Sequence, residues 1–192
     1  NSLPFLHKVK TLIIGGAPIS NTLREELLEI ENCSFETYGM TETITHIAVK
    51  PLNQLLSSIL RTDLGFKILP DVEISKDNRE CLVINAPRVT DETIVTNDVV
   101  QLISATEFKW LGRYDNVINS GGVKVHPEQI ESKLSEILHQ SFFVSSLPDP
   151  KLGEQVVLIL EGVVDKEKVM QQIISSKKLN KYELPRSIKI IP

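Results

Sequence analysis

The sequence predicts an α/β plus α+β chain. It reads as the end of a large α/β domain with a small β-barrel-like or meandering subdomain, followed by a small α+β domain. Three observations predict this. A strand–helix–strand pattern with loops at the strand ends fills residues 9–39. Short β-type pieces separated by turn clusters run from Gly65 to Arg113. Past Asp115, two helical patterns return between short strands, so we divide the chain into 1–115 and 116–192.

Val9–Ile14 is an apolar run that stops at Gly15-Gly16, as a buried strand entering a tight loop would. After Pro18, Ser20 or Asn21 can cap a helix whose apolar residues Leu23, Leu27 and Ile30 recur at helical spacing. Cys33–Tyr38 is strand-like and ends at Gly39. The β pieces Phe66–Leu69, Cys81–Asn85, Val99–Ile103 and Phe108–Leu111 follow, with turns at Asp77-Asn78 and Asp91-Glu92. Val117–Asn119 and Val123–Val125 flank Gly121-Gly122 as two short strands around a turn. Pro127 suits the first position of a helix, with Glu128 and Glu131 near its positive end and Ile130, Leu134, Ile137 and Leu138 as its stripe. Val156–Leu160 reads as a strand, Val169, Met170, Ile173 and Ile174 mark a helix, and Ser187–Ile191 closes the domain.

Composition narrows the function classes. Of 192 residues, 41% are hydrophobic and 24% charged, enough to bury a core. Lys and Arg total 21 against 25 Asp and Glu, a net charge of -4 that argues against nucleic-acid binding. The longest apolar runs are far too short for membrane insertion, and the first residues show no signal-peptide pattern. Two cysteines, Cys33 and Cys81, form no disulfide framework or metal spacing, which fits a cytoplasmic location. The sequence permits a homo-oligomer without specifying one.

Four clusters have residue types suited to chemistry. In Glu36-Thr37-Tyr38-Gly39-Met40-Thr41-Glu42, Gly39 lets the backbone approach a ligand and Tyr38 offers a flat ring. Thr41 can donate to a phosphate oxygen and Glu42 can hold Mg²⁺. A turn with a solvated Glu explains the same residues. In Thr96-Asn97-Asp98 the carboxylate can accept from both hydroxyls of a ribose, and an Asx turn is the plainer account. Arg113 carries a planar fork of donors, Asp115 lies where the two regions meet, and Gly121-Gly122 leaves room beside the backbone. A polar linker and an ordinary hairpin explain these equally well. Gly15-Gly16-Ala17-Pro18 can admit a flat base or simply turn. His7, His46, His126 and His139 have no partner at a recognisable spacing and read as structural. The chain contains no nucleophile elbow, zinc-protease helix or Walker loop.

The order of these clusters is more specific than any of them alone. Gly-Gly-Ala-Pro, Tyr-Gly-Met-Thr-Glu, Thr-x-Asp, and Gly-Arg-x-Asp followed by Gly-x-x-Val-x-Pro-Glu-x-Ile-Glu resembles the adenylate-forming acyl-CoA ligase superfamily over nearly the whole chain. Within it, Phe108–Gly122 and Thr96–Val100 look most like the o-succinylbenzoate–CoA ligase branch, which serves menaquinone biosynthesis. The resemblance implies activation of a small-molecule carboxylic acid with ATP, Mg²⁺ and coenzyme A as co-substrate. It implies that 1–115 is the downstream part of the AMP-binding domain and 116–192 an incomplete C-terminal lid.

By the same resemblance, Gly16, Ala17 and Pro18 line the adenine site, with Tyr38 and Gly39 against the base. Thr41 contacts the α-phosphate and Glu42 holds the metal, both as catalytic residues. Asp98 and Arg113 hold the ribose, Asp115 is the hinge, and Gly121 and Gly122 border the CoA tunnel. Two departures stand out. Asn97 replaces the family's usual Gly, and neither the upstream phosphate loop nor the lid lysine expected shortly after Pro192 lies within the chain, with Lys189 no substitute. The 192 residues alone are therefore expected to be inactive. Another acyl- or aryl-CoA ligase, a carrier-protein-loading adenylation domain and a non-catalytic nucleotide-binding module are the competing readings.

Overall fold

A computed structural model describes residues 6, 8–17, 19, 21–53 and 64–192; Pro18, His7 and Ser20 lie outside the described residues. The described chain divides into two units, Asn1–Trp110 and Leu111–Pro192.

Unit 1 is built on one eight-stranded sheet. It contains β1 (Thr11–Ile14), α1 (Asn21–Leu28), β2 (Cys33–Gly39), β3 (His46–Pro51), β4 (Phe66–Ile68), β5 (Glu73–Lys76), β6 (Cys81–Asn85), β7 (Ile94–Ser104) and β8 (Glu107–Arg113), whose end enters the second unit. The strand order is β1-β2-β3-β4-β8-β7-β6-β5. Among the described residues β1 and β2 pair in parallel, joined through α1, which matches the α/β layer read from residues 9–39. Val9 falls in the loop before β1, where its N–H donates to the Leu6 carbonyl.

Of the barrel-like or meandering subdomain expected, the described residues form a meander within an open sheet. Pairing of β3 with β4 and of β4 with β8 joins the meander to the α/β layer, so the sheet ends at β1 and β5 instead of closing. A barrel needs its first and last strands hydrogen-bonded, and here the neighbour that β4 would use is taken by β3. Ile47, Ala48, Phe66, Leu82, Ile84, Val100 and Phe108 form the core beneath this sheet. A smaller core joins Leu27, Ile30 and Leu52; Ile30 contributes from just past the end of α1, while Leu23 stays exposed.

Unit 2 contains β9 (Ile118–Ser120), β10 (Val123–Val125), α2 (Pro127–Leu134), β11 (Phe142–Asp149), β12 (Gly153–Glu161), α3 (Lys166–Ser176) and β13 (Ser187–Ile191). β9 and β10 form an antiparallel hairpin, β11 and β12 a longer one, and β13 pairs in parallel with β12. Pro127 opens α2 at its first turn, and the Asp165 side chain caps α3 by accepting from the N–H groups of Glu167 and Lys168. Ile130, Leu134, Leu158, Leu160 and Ile173 are fully buried in one core. Ile174, expected in the stripe of α3, is exposed instead.

Candidate functional site

In unit 1 the Glu36–Glu42 and Thr96–Asp98 clusters meet. Tyr38, on β2, donates its hydroxyl to Asp98 Oδ2 at 2.6 Å. Trp110, on β8, donates its indole N–H to Asp98 Oδ1 at 3.1 Å. Asp98 is buried in the middle of β7, and a buried carboxylate needs such donors. The Tyr38 ring is held edge-on against Phe108, centroids 5.1 Å apart, and tilted against Phe66. Sheet pairing supplies this convergence, since residues 38 and 98 are remote in sequence.

The backbone under Asp98 is also fixed. Its N–H donates to Thr96 Oγ1 at 3.0 Å. Arg79 clamps the same stretch: its Nη1 donates to Asn97 Oδ1 at 2.8 Å and its Nη2 to the Thr96 carbonyl at 3.0 Å. Asp77 holds the guanidinium in turn, at 2.8 Å from Nε. Asn97, where the resembled motif has glycine, thus gives Arg79 a side-chain acceptor.

Thr41 and Glu42 lie on an exposed 3-10 turn, Thr41–Thr43, immediately after β2. Thr43, fully buried, anchors it. Its Oγ1 accepts from Met40 N at 3.0 Å and lies within hydrogen-bond distance of the Met40 and Thr45 carbonyls. Ile44 follows with φ 60°, a conformation costly for a β-branched residue, and is 80% exposed. Gly39 sits at a register shift between β2 and β3. A Cβ there would lie 2.5 Å from the Thr45 carbonyl oxygen and 2.7 Å from His46 Cα. Only glycine allows the two strands this close.

Gly16 and Ala17 are exposed in the loop following β1, and Pro18 lies outside the described residues. Beside that loop, Glu36 is buried and paired with Lys50 at 2.5 Å and Arg24 at 3.5 Å. Among the described residues no group of three or more His, Cys, Asp or Glu could hold a metal ion.

In unit 2 the predicted residues sit on exposed backbone. Arg113 and Asp115 pair at 3.7 Å. Glu128 Oε1 accepts from the Arg113 N–H at 3.2 Å and from Asn116 Nδ2 at 2.7 Å, while Gln129 Nε2 donates to the Leu111 carbonyl at 3.0 Å. Gly121 and Gly122 form the tip of the β9–β10 hairpin with φ of 62° and 81°, as a two-residue turn between twisted strands demands. A cleft of about 440 Å³ in this unit is lined by Asp115, Glu128, Glu131 and Glu154 among others. Burial pushes the Glu131 carboxyl up, opposed by the Val144 N–H and reinforced by Glu128. Burial pulls the His126 imidazole down, against the attraction of Glu128.

Sequence reasoning missed Trp110, Arg79 and Thr43. Trp110 reads as one more apolar strand residue, and only its single polar atom hints otherwise. Arg79 was legible in part, because a non-glycine at Asn97 calls for a partner.

No protein-family model matches the chain. A search of solved structures finds the same fold in o-succinylbenzoate CoA synthetase (MenE) from Bacillus subtilis in complex with the acyl-adenylate intermediate OSB-AMP. The match has a TM-score of 0.80 and 22% identity over 95% of this chain and 42% of that one. The chain has the fold of the downstream part of AMP-forming acyl-CoA synthetases. An acyl-CoA synthetase (AMP-forming)/AMP-acid ligase II-like protein from Dyadobacter fermentans matches at TM-score 0.53 and 31% identity, over 94% of this chain and 52% of that one. Among curated proteins, the 2-succinylbenzoate–CoA ligase of Listeria monocytogenes is 26% identical over 95% of this chain and 42% of its own length. The chain thus spans less than half the length of the curated relatives it matches.

Proposed function

We propose that the chain is the downstream part of an AMP-forming acid–thiol ligase, and that its acid is o-succinylbenzoate. The observation that carries the reading is the Tyr38–Asp98 hydrogen bond, which joins the two motifs assigned to base and ribose in one place. The similarity to 2-succinylbenzoate–CoA ligases along 95% of the chain supports the choice of acid.

A carboxylate is a poor acyl donor because oxide would have to leave. Its oxygen attacks the α-phosphorus of ATP, pyrophosphate departs, and the acyl group is left on AMP. The thiolate of coenzyme A then attacks the acyl carbon and AMP departs. In this scheme Gly16, Ala17 and Pro18 with Tyr38 and Gly39 take the adenine, and Asp98 and Arg113 take the ribose. Thr41 donates to the α-phosphate, where donors set in advance for developing charge supply the usual large electrostatic term. From this chain Mg²⁺ would take Glu42 alone, with phosphates and water completing its shell, as suits that ion. When bound, the ion neutralises charge on the phosphoryl oxygens. Asp115 serves as the hinge between the parts 1–115 and 116–192, and the Gly121-Gly122 tip borders the path of the thiol. The two cysteines Cys33 and Cys81, neither in a disulfide, support a cytoplasmic location, and among the described residues no helix is long and apolar enough to cross a membrane.

The test is acid-dependent exchange of pyrophosphate into ATP by the full-length protein that carries this chain. The panel is o-succinylbenzoate, simple benzoates and fatty acids. Exchange driven chiefly by o-succinylbenzoate is expected. Exchange with another acid would discard the substrate and keep the chemistry, while none with any acid would favour a non-catalytic nucleotide-binding module.

A further inference from the structure

We infer that Trp110 is a positioning residue for nucleotide binding: its indole N–H, together with the Tyr38 hydroxyl, fixes the plane of the Asp98 carboxylate that receives the ribose hydroxyls. The inference rests on the proposed role of Asp98 and adds to it a means of selecting ribose over deoxyribose.

The rotational preference of an aspartate side chain about its last bond is broad, so hydrogen bonds decide its plane. Here its two oxygens are engaged by donors from two different strands, Tyr38 on β2 at 2.6 Å and Trp110 on β8 at 3.1 Å. Neither donor is loose. Tyr38 is wedged against Phe66 and Phe108, and Trp110 packs half-buried on the same core. The backbone beneath is held by Thr96 Oγ1 and the Arg79 clamp. A carboxylate fixed in this way points both oxygens in set directions. Two neighbouring hydroxyls on a five-membered ring need two acceptors at a set spacing, and an ionised carboxylate can accept about four hydrogen bonds in all. Each oxygen thus carries a donor from the protein that sets its direction.

A merely structural role for Trp110 makes a different forecast. The aromatic ring would then matter for packing and the N–H only for satisfying a buried charge. Losing the N–H would lower stability and leave the preference for ribose untouched.

The experiment uses the full-length protein that carries this chain, with Trp110→Phe, Tyr38→Phe and Asp98→Asn, and measures calorimetric affinity for AMP and for 2′-deoxy-AMP. Trp110→Phe keeps a ring and removes only the donor. It is expected to weaken AMP about tenfold, the scale of one hydrogen bond to a charged group, and to change 2′-deoxy-AMP less than about twofold. The preference for ribose then collapses, and KM for ATP rises more than kcat falls. In the ¹H–¹⁵N spectrum, the indole signal missing from Trp110→Phe moves in Asp98→Asn.

An unchanged ratio of the two affinities in Trp110→Phe, including equal weakening of both, overturns the positioning role. If that variant does not fold, Tyr38→Phe carries the same expectation and the same overturning result. A wild type without ribose preference, or Asp98→Asn retaining it, would sink the Asp98 reading itself, which separates the two failures.

Discussion

Asp98 in unit 1 and the candidate residues of unit 2 are held in opposite ways. In unit 1, Asp98 is buried, and side chains from β2, β8 and the β5–β6 turn converge on its carboxylate and the strand beneath it. In unit 2, Arg113, Asp115, Gly121 and Gly122 are all exposed, and the last two contribute backbone shape alone. The first arrangement suits a fixed receptor for a polar ligand. The second suits a surface whose backbone, rather than side chains, borders a ligand. The lesson is that side-chain substitution should be costly in the first unit and cheap in the second.

Gly39 and Gly122 test this contrast most directly. Gly39→Ala forces a Cβ against backbone on the neighbouring strand, and we expect a loss of about 3 kcal/mol in urea unfolding, near the top of what overpacking costs. A loss below about 1 kcal/mol would mean that β2 and β3 can part freely there. Gly122→Ala meets nothing within 4 Å and pays only for its φ of 81°, about 1 kcal/mol by the same measurement. A loss as large as that at Gly39 would break the comparison.

The smallest effect concerns pH. Burial raises the Glu131 carboxyl above its ordinary value of 4.5, so the folded state binds the proton more tightly than the unfolded one. Its contribution to stability is full below that value and is lost as pH rises through the folded value. Glu131→Gln keeps an oxygen for the Val144 N–H and removes the titration. The variant's stability should fall less than the wild type's from pH 4 to pH 7. His126 acts in the opposite sense. Its lowered imidazole takes stability away as pH falls below 6.5, so a melting series must cover both ranges to separate the two.

Much of the fold was legible because its signals are local. Pro127 at a helix start, Gly121-Gly122 between short strands and the apolar Val156–Leu160 all stand where residue chemistry places them. What stayed hidden depends on partners far away. β3 contains His46, Lys50 and Pro51, and β11 contains two serines and Pro148; neither run looks like a strand until its neighbour is known. Local turns suggest a barrel or a meander, but not the pairing of β3 with β4 that decides between them. In the candidate site, Tyr38 and Asp98 were named from the sequence as separate elements. Their contact, and the part of Trp110 in it, arise from sheet order alone.

The bonds around Glu128 have a mechanical consequence. Leu111 and Arg113 are tied to the first turn of α2 by Gln129 and Glu128, and both tethers span the residue we propose as the hinge. Turning the backbone at Asp115 would swing both anchor points away from α2 and break two hydrogen bonds. At about 1 kcal/mol each, they weight this arrangement over a turned one by a factor of ten or more. If Asp115 turns as proposed, Glu128 and Gln129 act as its latch, and the stiffness of the joint is written in the helix that follows it rather than in the hinge residue itself.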